Sequence, residues 1–394
     1  MSLLILNAGS SNLKWRLFGD DARADRASGQ MDWPADRRRT VQEILKAVES
    51  QHPNADPVRA VGHRVVHGGE QFHESIRIDN AVKAAIARLA ELAPLHNPAA
   101  LEGIEVAEAA LPGVPQVAVF DTSLFARLPP RAFLYPVPYE WYTRWGARRF
   151  GFHGISHAYC ADRVAELLNG GVAASFQLAG ERSGKLETCR HREQSDLRLI
   201  TCHLGNGCSA TAFRGGVPVT TSMGFTPMDG LMMGTRPGSL DPGLLVHVQK
   251  QGGMSVDQLD NALNHESGLL GISGVSSDFR AVEAAAKEGN ESARLALDIY
   301  ADRVRSVVGA FTATLGGVDA LVFAAGVGEN SASLRAEVCR GLDCLGLRLD
   351  PDRNEACKPD ADIAADGSAG RILVLHTREE QRIAEETRRI VPAS

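Results

Sequence analysis

Leu3-Leu4-Ile5-Leu6 leads into Asn7-Ala8-Gly9-Ser10-Ser11-Asn12 and then into Leu13-Lys14-Trp15-Arg16-Leu17-Phe18. The first run is wholly apolar and reads as a buried strand. The second is a tight polar turn, and the third alternates its faces as a returning strand does. The same pattern is written again over Leu199-Ile200-Thr201-Cys202, His203-Leu204-Gly205-Asn206-Gly207-Cys208-Ser209 and the return 210–214. Two such hairpins, each opening one half of the chain, predict an α/β protein with a ligand between two related domains. The rest of the chain fits that frame. Residues 80–92 read as a helix stopped before Pro94, and Asn290 caps a long helix reaching about residue 315, closed by Gly316-Gly317. Residues 320–324 form a short apolar strand that delivers Gly326-Val327-Gly328-Glu329-Asn330 at its carboxyl end. That is where ligands sit in open α/β sheets. Residues 171–195 are polar and aperiodic, and read as a mobile surface insertion.

Composition narrows the functional classes. The chain has 394 residues, 44% hydrophobic and 23% charged, which suits two globular domains rather than a disordered, collagen-like or disulfide-stapled chain. Lys and Arg total 42 against 48 Asp and Glu, a formal charge of -6. This gives no basic footprint for nucleic acid or an anionic membrane. Seven cysteines with no regular framework suit a reducing compartment. No apolar run approaches the roughly 18 residues of a membrane helix. A cytoplasmic protein is expected.

The familiar nucleotide motifs are missing. Gly180-Glu181-Arg182-Ser183-Gly184-Lys185 sets its glycines one residue too close for a P-loop, and Leu186 stands where Ser or Thr should be. No GxGxxG follows a strand. The hairpin turns offer another geometry, because Gly, Ser and Asn let successive backbone N–H groups converge on an anion. Asn7, Ser10, Asn12, Asn206 and Ser209 would add side-chain donors, though ordinary hairpins carry such residues too. Arg64 lies in His63-Arg64-Val65-Val66-His67-Gly68-Gly69 and Arg236 in Gly234-Thr235-Arg236-Pro237-Gly238. Arginine suits planar recognition of phosphate or carboxylate, while most surface arginines are simply solvated. Asp121 follows an apolar run, a position for either a metal-linked carboxylate or a helix cap, and His153 stands between Phe152 and Gly154. Cys189, His191, Cys202, His203 and Cys208 match no zinc spacing.

Taken in order, these segments resemble the acetate kinase family. The matching blocks are Asn7-Ala8-Gly9-Ser10-Ser11, Gly62-His63-Arg64-Val65-Val66-His67-Gly68-Gly69-Glu70, Leu92-Ala93-Pro94-Leu95-His96-Asn97-Pro98, Phe120-Asp121-Thr122 and Phe152-His153-Gly154. Further on come His203-Leu204-Gly205-Asn206-Gly207, Gly234-Thr235-Arg236-Pro237-Gly238, Ser276-Ser277-Asp278-Phe279-Arg280 and Gly326-Val327-Gly328-Glu329-Asn330. The resemblance implies a duplicated ribonuclease-H-like α/β fold, of the sugar-kinase, Hsp70 and actin type, with an interdomain ATP cleft. It places the first domain over residues 1–147, completed by a C-terminal helix over 380–394, and the second over 148–379. It implies phosphoryl transfer from ATP to acetate with Mg2+, for which Mn2+ would substitute, in a homodimer that binds neither nucleic acid nor membrane.

The same resemblance assigns roles. Arg64 and Arg236 would hold the acceptor carboxylate and the moving phosphoryl, His153 would donate to that phosphoryl, and His96 would flank it. Asp121, Asn7 and Glu379 would place magnesium and the γ-phosphate. Asn12, Lys14, His203, Leu204, Gly205, Asn206 and Gly207 would contact phosphates. Asp278, Phe279 and Arg280, with Gly326, Val327, Gly328, Glu329 and Asn330, would hold adenosine. The acceptor pocket would be Val66, Leu95, Phe152 and Pro227. Valine at 66 favours acetate, because propionate kinases of the family tend to carry a smaller residue there. A related short-chain acid kinase and a catalytically silent nucleotide-binding switch are the alternatives. Three departures stand out: the insertion 171–195, Arg378 where Asn is usual before Glu379-Glu380, and Asp229 in place of Glu.

Overall fold

The computed structural model describes residues 2–8, 12–19, 25–32, 37–52, 56–94, 96–168 and 196–392. The Gly9-Ser10-Ser11 turn, Leu95, the P-loop-like stretch 180–185 and the expected insertion 171–195 lie outside the described residues. The first sheet is built from β1 (Ser2–Ala8), β2 (Asn12–Phe18), β3 (Asp25–Asp32), β4 (Val58–Val65), β5 (Ile76–Arg77) and β6 (Gln116–Phe120), in the order β3-β2-β1-β4-β6-β5. The second uses β7 (Arg198–Leu204), β8 (Cys208–Arg214), β9 (Val217–Thr221), β10 (Ala320–Ala324), β11 (Ala361–Asp362) and β12 (Arg371–Leu375), in the order β9-β8-β7-β10-β12-β11.

Strand for strand the two orders are the same. In each, three antiparallel strands lead the sheet, the first pairs in parallel with the fourth, the next is again parallel, and a two-residue antiparallel strand closes the edge. This is the duplicated two-domain α/β fold expected from the two hairpins. The hairpin turns are tighter than the sequence suggests. Asn7 and Ala8 pair with Lys14 and Leu13, and His203 and Leu204 pair with Ser209 and Cys208. Six residues read as turn, Asn7, Ala8, His203, Leu204, Cys208 and Ser209, are therefore the last rungs of their ladders, and in the second hairpin the turn shrinks to residues 205–207.

The chain divides into two compact units, one of residues 1–127, 152–159 and 378–394, the other of 128–151 and 160–377. In the first, all seven β1 residues are buried, and Leu13, Trp15 and Leu17 of β2 share an apolar cluster with Leu4, Leu6, Ile44 and Val48. On the other face, Ile383 and Ala384 of the helix Glu379–Ile390 pack with Leu3, Ile5, Val117 and Val119. That helix lies close because Gly62 has no side chain: a Cβ there would stand 2.2 Å from Thr387 Oγ1. The helix starts are those expected. Asp79 caps Asn80–Arg88, which continues as a tighter turn over Leu89–Glu91, and Asn290 caps Glu291–Leu315, ended by left-handed Gly316.

Candidate active site

β1, β4 and β6 are parallel, so Asn7, Arg64 and Asp121 emerge at one end of the first sheet. Arg64 donates from Nε (3.1 Å) and Nη2 (2.5 Å) to Oδ2 of Asp121, which is almost fully buried. The Asp121 N–H donates to Val65 O at 3.0 Å, and Thr122 Oγ1 accepts from Gly68 N at 2.9 Å, so the loop after β4 is tied to the end of β6. Burial opposes the Arg64 charge, but the carboxylates of Asp121 and Glu379 outweigh it and hold the guanidinium above its ordinary pKa. Burial pushes the Glu379 carboxyl up to about 7; Asp121 and Glu380 add to the rise, against the pull of Arg64 and Lys14. Glu380 is engaged elsewhere, accepting from Asn7 Nδ2 at 3.2 Å and pairing with Arg16 Nε at 3.5 Å. Both glutamates act on the Arg64 charge, and Glu379 is the one whose own carboxyl is pushed up by burial. Lys14 is exposed on β2 opposite Asn7, and Asn12 opens the same strand.

Val66 and Phe152 are buried, and the His67 ring meets Phe152 edge-on at 5.5 Å. Burial lowers His67 to about 4, so its ring is neutral, with Nδ1 accepting from Gly69 N at 2.9 Å. Asn97 clamps the backbone of the same residue, accepting from His67 N and donating to His67 O, both at 3.0 Å. His96 stands at the start of the helix Asn97–Ala110 without capping it through its side chain. His153 has φ +56°, a conformation few residues other than glycine adopt, and strain of this kind gathers at functional sites. The next residue must be glycine: a Cβ on Gly154 would stand 2.0 Å from the carbonyl oxygen of Asp121. Arg378, before Glu379, offers no side-chain cap to its helix and instead donates to Tyr159 Oη at 2.5 Å.

The second unit gathers the remaining candidates. His203 and Leu204 end β7, Gly205 N donates to Gly207 O at 3.1 Å, and Asn206 is exposed at the tip. Asn206 O accepts from Gly234 N at 3.1 Å, an approach that a Cβ on Gly234 would block at 2.2 Å from Asn206 Oδ1. Arg236, two residues on, donates from Nη1 to Pro227 O at 2.6 Å, and burial lowers its pKa. Asp229 pairs with Arg149 at 3.1 Å and accepts from Ser239 Oγ at 2.6 Å, so the shorter carboxylate is fully used in its loop. Asp278 caps the helix Phe279–Lys287 and holds the exposed Arg280 guanidinium at 2.6 Å. The Arg280 guanidinium in turn holds the Asp278 carboxyl below its usual range. Phe279 turns inward, edge-on to Tyr300. Gly326, Val327, Gly328, Glu329 and Asn330 form a short helix directly after β10 rather than a loop. Glu329 binds His376 Nδ1 at 2.6 Å and Thr377 N at 3.2 Å, and Asn330 Nδ2 donates to Gly326 O at 2.8 Å.

Two supports escaped the sequence reading. Asn97 lies in the block 92–98, and its place before Pro98 is its only sequence signal. Arg335 is 2% exposed and donates to Gly328 O, Glu329 O and Asn354 Oδ1 at 3.0, 2.8 and 2.7 Å, fixing the helix 325–330 from behind. Nothing in sequence separates it from a solvated arginine on an amphipathic helix.

A sequence model described as the acetokinase family matches residues 22–179 and 182–385. Acetate kinases of Gloeobacter violaceus and of a Cyanothece species are 47% and 46% identical to the chain, covering 98% of it and 98% and 97% of themselves. The crystal structure of Porphyromonas gingivalis acetate kinase is similar with a TM-score of 0.87 at 35% identity, across 99% of both chains. A propionate kinase from Francisella tularensis gives 0.85 at 34%, also across 99% of both. The class is a phosphotransferase with a carboxyl group as acceptor, on a duplicated α/β fold. The chain belongs to the acetokinase family.

Proposed function

We propose that the chain catalyses reversible transfer of the γ-phosphoryl of ATP to acetate, giving acetyl phosphate and ADP, with acetate preferred over propionate. A carboxylic acid with a pKa near 4 is already an anion at pH 7, so the acceptor needs no general base. The obstacle is repulsion between that anion and the triphosphate, and catalysis reduces to positioning and positive charge. Arg64, held rigid by Asp121 at the sheet end, is the observation that carries the reading. Its fixed charge receives the acceptor carboxylate beside Val66 and Phe152. Arg236 and His153 bind the moving phosphoryl, with His96 at its flank. The turn 205–207 takes the phosphates, and residues 278–280 with 326–330 take adenosine. All four acceptor-side groups, Arg64, Asp121, His153 and Arg236, are present, which disfavours a catalytically silent nucleotide switch.

Magnesium fits the oxygen donors Asp121, Glu379 and Asn7. Among the described residues no three His, Cys, Asp or Glu groups cluster tightly enough to cage a metal alone. Mg2+ prefers one or two carboxylates, substrate phosphates and water, and Mn2+ accepts the same oxygens. When bound, the ion neutralises phosphate charge. A homodimer through the second unit is supported by the helix Tyr139–Trp145, where Tyr139, Trp141 and Trp145 are exposed. A cytoplasmic setting is supported by free thiols at Cys202, Cys208, Cys339, Cys344 and Cys357. Among the described residues no helix is long and apolar enough to cross a membrane.

The test is an acyl-hydroxamate assay with ATP, magnesium and hydroxylamine, run on acetate, propionate and butyrate. Acetate leading supports the reading, and propionate leading removes the Val66 argument while leaving the chemistry. No hydroxamate from any acid, with ATP still bound, overturns the enzyme.

A further inference from the structure

Beneath the turn 205–207 lies a buried thiol that the proposed chemistry does not use. Cys208 Sγ donates to Gly205 O at 3.2 Å and meets Tyr300 Oη at 2.9 Å. Tyr300 is 1% exposed on the helix Glu291–Leu315, and its ring packs edge-on against Phe279, centroids 5.5 Å apart at 65°. A thiol has one proton. With that proton on Gly205 O, the phenol must donate to sulfur, and the contacts run O–H to S and S–H to C=O. Burial pushes the Cys208 thiol up to about 11 and the Tyr300 phenol well above its ordinary range. At neutral pH neither is a nucleophile or a proton carrier. What they contribute is spacing.

One side chain therefore links two loops, one of them through Cys208. Its ring holds Phe279, the residue after Asp278, and its hydroxyl reaches Gly205 through Cys208. The turn extends the reach further, since Asn206 O accepts from Gly234 N, two residues before Arg236. We infer that Tyr300 is a positioning residue for the nucleotide, fixing the separation between the phosphate-contacting turn 205–207 and the adenosine-contacting loop 278–280. The inference rests on the assignment of those loops to ATP made above. A link of this kind acts on a ligand that spans both loops and leaves alone one that touches a single loop or neither. Of these two loops ATP spans both, adenosine touches only 278–280, and acetate touches neither.

Tyr300→Phe keeps the ring against Phe279 and removes only the hydroxyl. The full-length variant should bind ATP about fivefold more weakly by calorimetry and show a matching rise in KM for ATP. Its adenosine affinity, its KM for acetate and its kcat at saturating ATP should stay within about twofold of the parent. Cys208→Ala should reproduce this pattern, while Cys208→Ser, which keeps a donor toward Gly205 O, should recover most of the ATP affinity. Combining Tyr300→Phe with Cys208→Ala should weaken ATP no more than either change alone, because both break one chain of contacts. Unchanged ATP affinity in Tyr300→Phe and Cys208→Ala would overturn the inference. So would equal weakening of ATP, adenosine and acetate, which is the mark of a merely structural residue. Additive losses in the double variant would overturn it too. Failure of the underlying reading looks different: the parent protein itself would bind no ATP or form no hydroxamate.

Discussion

Arg64 directs Nε and Nη2 at a single oxygen of Asp121, so its plane is set before any ligand arrives. Arg64→Ala removes that fixed charge and leaves the buried Asp121 without its partner. We expect kcat to fall by about 10²–10³ with ATP binding close to normal, measured by hydroxamate formation and calorimetry. Arg64→Lys should not restore the rate, because an ammonium cannot hold the same forked geometry. Val66 belongs to the proposed acceptor pocket, so Val66→Ala should raise the propionate-to-acetate ratio of kcat/KM by about tenfold, the worth of one methylene. A third residue governs stability rather than rate. Buried His63, bound through Nε2 to Gln116 Oε1 at 2.7 Å, is lowered by burial from 6.5 to about 4. The folded state favours the neutral ring, so its contribution is complete above pH 6.5 and is lost as pH falls toward 4. His63→Gln removes that titration, and the wild type's extra loss between pH 7 and pH 5 should shrink by about 2 kcal/mol in urea unfolding.

At the scale of elements, close approach through glycine places the site. The helix Gly154–Leu168 starts against the Asp121 carbonyl, and Gly154→Ala sets a methyl 2.0 Å from backbone that cannot step aside. A loss of about 1–3 kcal/mol is expected, with a fall in kcat as Asp121 shifts. Gly309→Ala is the matched control. It lies mid-helix with nothing within 4 Å of the added carbon, and should stabilise by about 1 kcal/mol in thermal unfolding. These elements also show what sequence can reveal. The twin hairpins, the Asn290 cap and the strand before Gly326 were legible because apolar period and capping chemistry are local. The limits of the turns were not, because Asn7 and His203 are polar residues that a ladder end accepts as readily as a turn does. Glu379 and Glu380 could not be separated by sequence, since neighbours on a helix differ only in the direction they face. Packing against the sheet sends Glu380 toward Asn7 and Arg16. The inward turn of Phe279 is likewise invisible in its motif, because it depends on Tyr300 of another helix.

For the whole molecule, the exposed aromatic helix Tyr139–Trp145 bears on assembly. Trp141 and Trp145 lie 5.9 Å apart, with Arg144 5.3 Å above the Trp145 ring. The proposed homodimer through this face predicts that Trp141→Glu with Trp145→Glu gives a monomer in sedimentation velocity, without altering the circular dichroism of the fold. A different consequence follows from the route of the chain. The first unit is finished by the helix Glu379–Ile390, which covers Leu3, Ile5, Val117 and Val119, yet that helix comes after the entire second unit. On the ribosome, the half of the protein that emerges first must wait with one face of its sheet bare until its sister has been made. The nascent chain should therefore engage hydrophobic-binding chaperones for most of its synthesis and release them only when residues past 384 clear the exit tunnel.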